Sequence, residues 1–197
     1  MTKVEYVHIF RRRRIGKTDY RKRRGLIVGK QPLLAVRVSN KYVYCQILRT
    51  TASGDVTLCS SSSRDLAKGF GWKGSTKNLP AAYLTGYLLG KRATAKQIAN
   101  ALVYTGIGRF VHGSRITSAI QGARDAGLNL AVSEEILPED NRRNGEHVAQ
   151  YAKSLETENR TEYGQRFSKS LASGFSPADY PKHLQEVKAI IGAKGSA

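Results

Sequence analysis

The stretch Arg11 to Arg24, RRRRIGKTDYRKRR, holds the residues of this 197-residue chain best suited to chemistry with another molecule. Nine of its fourteen side chains are Lys or Arg and one, Asp19, is acidic, a net +8 against +18 for the whole chain. Such a run repels itself and finds no place in a core. It is stabilised when a polyanion neutralises it and condensed counterions are released. A solvated tail or a localisation signal has the same composition. Ile15, Gly16, Thr18 and Tyr20 break the run, however, and a Tyr among arginines offers a stacking surface and a hydroxyl, as RNA-binding segments do. With almost no apolar surface to offset ordering, the run is expected to be mobile until it meets RNA.

A second candidate is the loop GFGWKGST, Gly69 to Thr76. It precedes a helix and invites comparison with a phosphate-binding P-loop. That motif needs Lys directly before Ser or Thr, after its second glycine; here Lys73 precedes Gly74 and Ser75 follows it. A nucleotide-hydrolysing site is therefore not expected. Two readings remain. Backbone N–H groups and Lys73 could grip an RNA phosphate with Trp72 stacking on a base, or Trp72 could be a hydrophobic anchor.

Catalysis is not supported. A metal-dependent phosphodiesterase needs several carboxylates converging on one or two cations, yet the first 124 residues contain only Glu5, Asp19, Asp55 and Asp65. Asp125 reads as a surface or capping residue, and adjacent Glu134 and Glu135 point in different directions. Cys45 and Cys59 make neither a disulfide framework nor a zinc site. They are expected as reduced, buried thiols on consecutive strands, close enough to be cross-strand neighbours. His8, His112, His147 and His183 are scattered. No catalytic residue, metal, cofactor or small-molecule substrate is expected. No stretch approaches a membrane span and the N-terminus lacks a signal-peptide core, so the cytoplasm is the expected compartment.

The elements that must carry these residues are legible. LLAVRV (Leu33 to Val38), YVYCQIL (Tyr42 to Leu48) and Val56 to Ser60 predict an antiparallel meander, joined by Ser39–Lys41 and by a polar loop from Thr50 to Asp55. Pro80 marks a first helical residue, and Ala81, Leu84, Leu88 and Ala95 keep helical spacing. Ala82, Gly86 and Gly90 form a small stripe suited to close packing on a sheet. Ala101 to Thr105 predicts a fourth strand. Ser114 caps a helix carrying Ile116, Ala119, Ile120 and Ala123, which stops at Gly127. The order is βββαβα. Two more helices are expected, about Arg142 to Leu155 and about Pro181 to Ile191. Tyr42, Tyr44 and Gln46 share one face of the second strand, with Arg37 on the neighbouring strand. That face is either an RNA platform or a surface covered by the C-terminal helices.

Charge divides the chain. Residues 1–30 carry a net +9, residues 60–124 again +9, residues 125–164 a net −5 and residues 165–197 +3. Three parts are expected: a basic RNA-binding arm (1–30), a βββαβα core (31–130) and a helical extension (131–197). The acidic segment is repelled by phosphate and is expected to face water or a protein.

GKTDYRKRR (Gly16 to Arg24), VRVSNKYVYCQI (Val36 to Ile47), GWKGSTKNLPAAYLTGYLLGKRA (Gly71 to Ala93) and GSRITSAIQGARDAGL (Gly113 to Leu128) resemble the 5S-rRNA-binding protein family of the large ribosomal subunit, number eighteen in the universal naming. SEEILPEDNRRNGEHVAQYA (Ser133 to Ala152) resembles the extension of its archaeal and eukaryotic branch, and the archaeal type fits best. The resemblance implies a mixed α/β fold, layered and ribonuclease-H-like. It also implies a structural, non-enzymatic role in the ribosome: holding 5S rRNA in the central protuberance and docking it on large-subunit rRNA, beside neighbouring ribosomal proteins. It carries RNA-binding roles to Arg11, Arg12, Arg13, Arg14, Lys17, Tyr20, Arg21, Lys22, Arg23 and Arg24 in the family's arm, to Lys41 in its SNK turn, to Trp72 and Lys73 in its Gly-rich loop, and to Arg115 at its GSR helix start. Against this stand a nuclease on a similar fold and a chromatin-like, DNA-binding protein.

Overall fold

A computed structural model describes residues 8–106 and 110–195; the first seven residues of the basic arm lie outside the described residues. Two helices come first, α1 (Arg11–Arg14) and α2 (Tyr20–Gly29). Strands β1 (Leu33–Val38), β2 (Val43–Thr50) and β3 (Asp55–Ser62) form the expected meander. Helix α3 (Ser63–Gly69) leads to the Gly-rich loop and to α4 (Leu79–Ala95). β4 (Asn100–Tyr104), α5 (Arg115–Asp125) and a two-residue β5 (Asn129–Leu130) complete the core. The strand order is β3-β2-β1-β4-β5, with β4 parallel to β1 and β5 parallel to β4. This is the mixed α/β architecture the resemblance implies. Among the described residues, no helix is long and apolar enough to cross a membrane.

Local chemistry explains most boundaries. Asn78 caps α4 through its side chain, so Leu79 opens the helix and Pro80 takes the second position, one later than expected. Ser114 caps α5 as read from the sequence. Helix α3 was not foreseen. Its signal is a capping box in which the Ser62 hydroxyl accepts from the Asp65 N–H and the Asp65 carboxylate accepts from the Ser62 N–H.

Helices α4 and α5 cover one face of the sheet. Leu34, Val36, Val43, Cys45 and Ile47 pack there against Ala82, Leu89, Ala119 and Ile120. The glycine stripe serves a different contact from the one expected. A Cβ on Gly86 would lie 1.8 Å from the Ala119 carbonyl oxygen, one on Gly122 2.0 Å from the Tyr83 oxygen, and one on Gly90 2.5 Å from the Ala126 Cβ. Gly86 and Gly90 thus bring α4 against α5, while Ala82 meets the sheet.

The C-terminal extension continues as α6 (Asp140–Asn144), α7 (Glu146–Glu158), α8 (Arg160–Arg166), α9 (Ser168–Ala172) and α10 (Tyr180–Lys194). The single helix expected from Arg142 to Leu155 is two. Gly145 adopts φ +80° between them, and a Cβ there would come within 3.1 Å of Pro80 Cγ. Among the described residues, the hydrophobic cluster on the second face of the sheet, Leu33, Ala35 and Leu48 with Leu26 and Tyr104, contains none of the extension. The extension packs on the outer side of α4, where Leu84 and Leu88 meet Leu184, Val187 and Ile191. Each such side chain contributes about 1.5–3 kcal/mol by leaving water. Asp125 is no idle surface residue: it accepts from the Tyr83 phenol at 2.7 Å, and Lys188 Nζ of α10 donates to the same phenol oxygen.

Two further details matter below. β3 is an edge strand, and side chains from α4 and its C-cap meet two of its carbonyls: Arg92 donates to Ser60 O and Lys96 Nζ to Leu58 O, each at 2.7 Å. The thiols are free and buried, but Cys45 opposes Ser61 and Cys59 opposes Ile47, so they are diagonal rather than directly cross-strand.

Candidate nucleic-acid interface

The described part of the basic arm forms two helices. Asp19, its one described carboxylate, accepts from the N–H groups of Arg21 and Lys22 and starts α2. Phe10 lies against Tyr20, with ring centroids 5.6 Å apart, and Arg12 Nε donates to the Thr18 hydroxyl. One face of α2 attaches to the sheet. Arg23 pairs with Asp55 at 2.9 Å and donates to Thr51 O, Leu26 packs against Leu33, Ala35 and Leu48, and Leu26 O accepts from Thr50. The Asp55 carboxylate holds the Arg23 guanidinium still more firmly charged. At this half-exposed position the pair contributes about 0.2–1 kcal/mol. Arg23 is thereby committed to the fold, while Arg11 to Arg14, Lys17, Arg21, Lys22 and Arg24 stay exposed.

Trp72 does not offer a face to a base. Its side chain is 3% exposed. His183 stacks on it at 5.1 Å, Tyr180 meets it edge-on at 5.9 Å, and its indole N–H donates to Ser75 O. The backbone N–H groups expected to cradle phosphate are also turned inward: Lys73 N–H donates to His183 Nε2 and Ser75 N–H to the Tyr180 phenol. In this structure Trp72 sits as a hydrophobic anchor, packed against Tyr180 and His183. Sequence could not supply the reason, because the covering residues lie more than a hundred positions away. The Lys73 side chain remains exposed.

Lys41, Lys73 and Arg115 gather at one end of the sheet. The Thr76 hydroxyl donates to Lys41 O, joining the Gly-rich loop to the β1–β2 turn. Arg115 opens α5, and Ser118 one turn later donates to Leu79 O at the start of α4. The arm sits at the other end, because Leu33 and Leu48 pair where Leu26 docks. The eight residues of β2 between the two ends span roughly 25 Å. The second sheet face is open at Tyr44, 40% exposed, which registers opposite Arg37; Tyr42 meets Tyr44 edge-on at 6.4 Å.

Among the described residues, no group of His, Cys, Asp and Glu could hold a metal ion. Fold and surface together define a basic α/β protein with cationic side chains at both ends of a mixed sheet, suited to a polyanion. Residues 5–104 match the model of the family described as ribosomal large subunit proteins 60S L5 and 50S L18. The chain is 48% identical over 185 residues to the large ribosomal subunit protein uL18 of Caldivirga maquilingensis, covering 94% of this chain and 89% of that one. It is 46% identical to the protein of that name from Aeropyrum pernix (92% and 85% covered) and 45% identical to that from Methanothermobacter thermautotrophicus (94% and 95%). The chain belongs to this family of large ribosomal subunit proteins. It is a structural constituent of the large subunit and not an enzyme, located in the cytoplasmic ribosome among ribosomal RNA and proteins.

Proposed function

We propose that this chain binds 5S rRNA and helps dock it on large-subunit rRNA in the central protuberance, beside neighbouring ribosomal proteins. The observation that carries the reading is α2. Arg23 and Leu26 fasten it to the sheet, which leaves Arg21, Lys22 and Arg24 exposed on a positioned helix. With Arg11 to Arg14, Lys17 and Tyr20 they make residues 1–30 an RNA-binding arm on the 31–130 core. Lys41, Lys73 and Arg115 add contacts at the far end. The net −5 segment from 125 to 164 turns toward a protein neighbour.

Binding to 5S rRNA, measured against an unrelated RNA of equal length and against random duplex DNA, tests this. If six to ten phosphates are neutralised, affinity should fall by about 10³–10⁵ between 50 and 200 mM salt. Arg21→Ala/Lys22→Ala/Arg24→Ala should remove a large share of it. Equal binding to all three nucleic acids, or a flat salt response, would overturn the reading. A preference for duplex DNA would favour the chromatin-like alternative.

A further inference from the structure

We propose that His183 is a proton-operated latch: neutral, it holds the Gly-rich loop on the C-terminal extension, and protonated, it lets the loop backbone go. The latch works without RNA and does not depend on what the arm binds.

The imidazole sits where the two parts meet. It stacks on Trp72 at 5.1 Å, with the rings 16° from parallel, and Phe175 leans on it at 5.0 Å. Its Nε2 accepts the Lys73 N–H at 3.1 Å. A ring nitrogen accepts only when it carries no hydrogen, so the neutral ring holds its proton on Nδ1. Nδ1 faces the Glu186 carboxylate, one turn further along α10, at 3.5 Å. One nitrogen thus serves the loop and the other faces the ring's own helix.

A second proton has only Nε2 to go to, the atom that the Lys73 N–H points at. Two donors then oppose each other and the bond is lost. On the other side the imidazolium meets Glu186 as an ion pair, so the ring changes partner from loop to helix. Histidine is the side chain that makes this charge change between about pH 5 and 8. The cleft beside it, about 420 Å³, is lined by Lys73 of the loop, by Asp179, and by Lys182 and Glu186 of α10. These are two cations and two carboxylates; Gly174, Phe175 and Ser176 complete the lining without charge. The His183 side chain is 13% exposed there, so water delivers the proton without unfolding. A second bond joins the same parts and does not respond. The Ser75 N–H donates to the Tyr180 phenol, and burial pushes that phenol further up, away from this range. Of the two backbone bonds between loop and α10, one is proton-sensitive and the other is its fixed companion.

Amide hydrogen exchange in the full chain without RNA, read residue by residue by NMR and corrected for the intrinsic rate, tests the latch. Between about pH 7.5 and 5.5, protection of the Lys73 amide should fall by about fivefold, as the loss of one hydrogen bond predicts. Protection of the Ser75 amide should hold. His183→Gln keeps an acceptor but cannot charge, and its Lys73 protection should stay level. His183→Phe keeps a ring against Trp72 without an acceptor, and its Lys73 protection should be low at both pH values. Unchanged Lys73 protection in wild type overturns the latch. So does a parallel fall at Ser75, which would mean general loosening, or the wild-type transition persisting in His183→Gln. The two wild-type outcomes decide the matter even where a variant does not fold.

Discussion

Lys188 Nζ lies 2.7 Å from the Tyr83 phenol oxygen, so the last helix of the extension is hydrogen-bonded to the middle of the core. Tyr83 passes its own proton toward Asp125 at 2.7 Å, and the Arg143 guanidinium lies over its ring at 5.1 Å. Burial, followed by the Asp125 bond, pushes the Tyr83 phenol well above its ordinary range. One side chain therefore collects α4, α5, α6 and α10.

Removing a member of this network should weaken the fold without touching RNA. Asp125→Ala leaves a buried phenol with an unmet donor, and Lys188→Met removes a donor while keeping the stem. Each should cost about 1–3 kcal/mol in denaturant unfolding. Affinity for 5S rRNA should hold; a parallel loss of affinity in folded Lys188→Met would assign the lysine to RNA.

The arm should be cut by trypsin in two stages. Residues 11–17 are exposed and form only one short helical turn, whereas α2 is capped by Asp19 and fastened by Arg23. Cleavage in free protein should begin among Arg11 to Lys17, giving a body that starts near Thr18. Asp55→Ala should move the first stable product to near Gly25. A wild-type body already starting at Gly25 would show that α2 is not docked in solution.

Trp72 fluorescence should be that of a buried indole and should change little when 5S rRNA is added. Trp72→Ala should cost about 3–5 kcal/mol of stability, as truncation of a large core side chain does. A strong quench on RNA addition would return Trp72 to the interface.

The sequence made the meander, α4 and α5 legible because their signals are local: β-branched runs, a polar turn, Pro80 at a helix start and Ser114 as a cap. The break at Gly145 was harder, since NRRNGEHVAQ reads as one helical run until Pro80, 65 positions earlier, is seen against that glycine. The candidate interface divides in the same way. Exposed arginines follow from composition, but the commitment of Arg23 depends on Asp55, and the burial of Trp72 on Tyr180 and His183. Neither partner is marked by spacing.

The thiols give a pH test. Burial pushes Cys45 up to about 12 and raises Cys59 as well. A thiol that resists ionisation in the fold but not in the unfolded chain contributes stability below its ordinary value near 9, and this is lost as pH rises toward 12. Wild type should therefore lose more stability than Cys45→Val between pH 8 and 10. At pH 8 a thiol reagent should label both cysteines only after unfolding; labelling of native Cys45 would contradict its burial.

The Arg92 and Lys96 bonds on the outer edge of β3 bear on the interval between synthesis and assembly. In a chain not yet assembled, an open strand edge is a template for pairing with another copy. Here the acceptors an incoming strand would use, Leu58 O and Ser60 O, are already taken. The groups that take them are cations, which also repel a second basic chain. Arg92→Ser/Lys96→Ser should make the RNA-free protein associate with rising concentration in sedimentation, while wild type stays monomeric. The same two side chains that finish the sheet thus occupy the places where a second copy would add a strand.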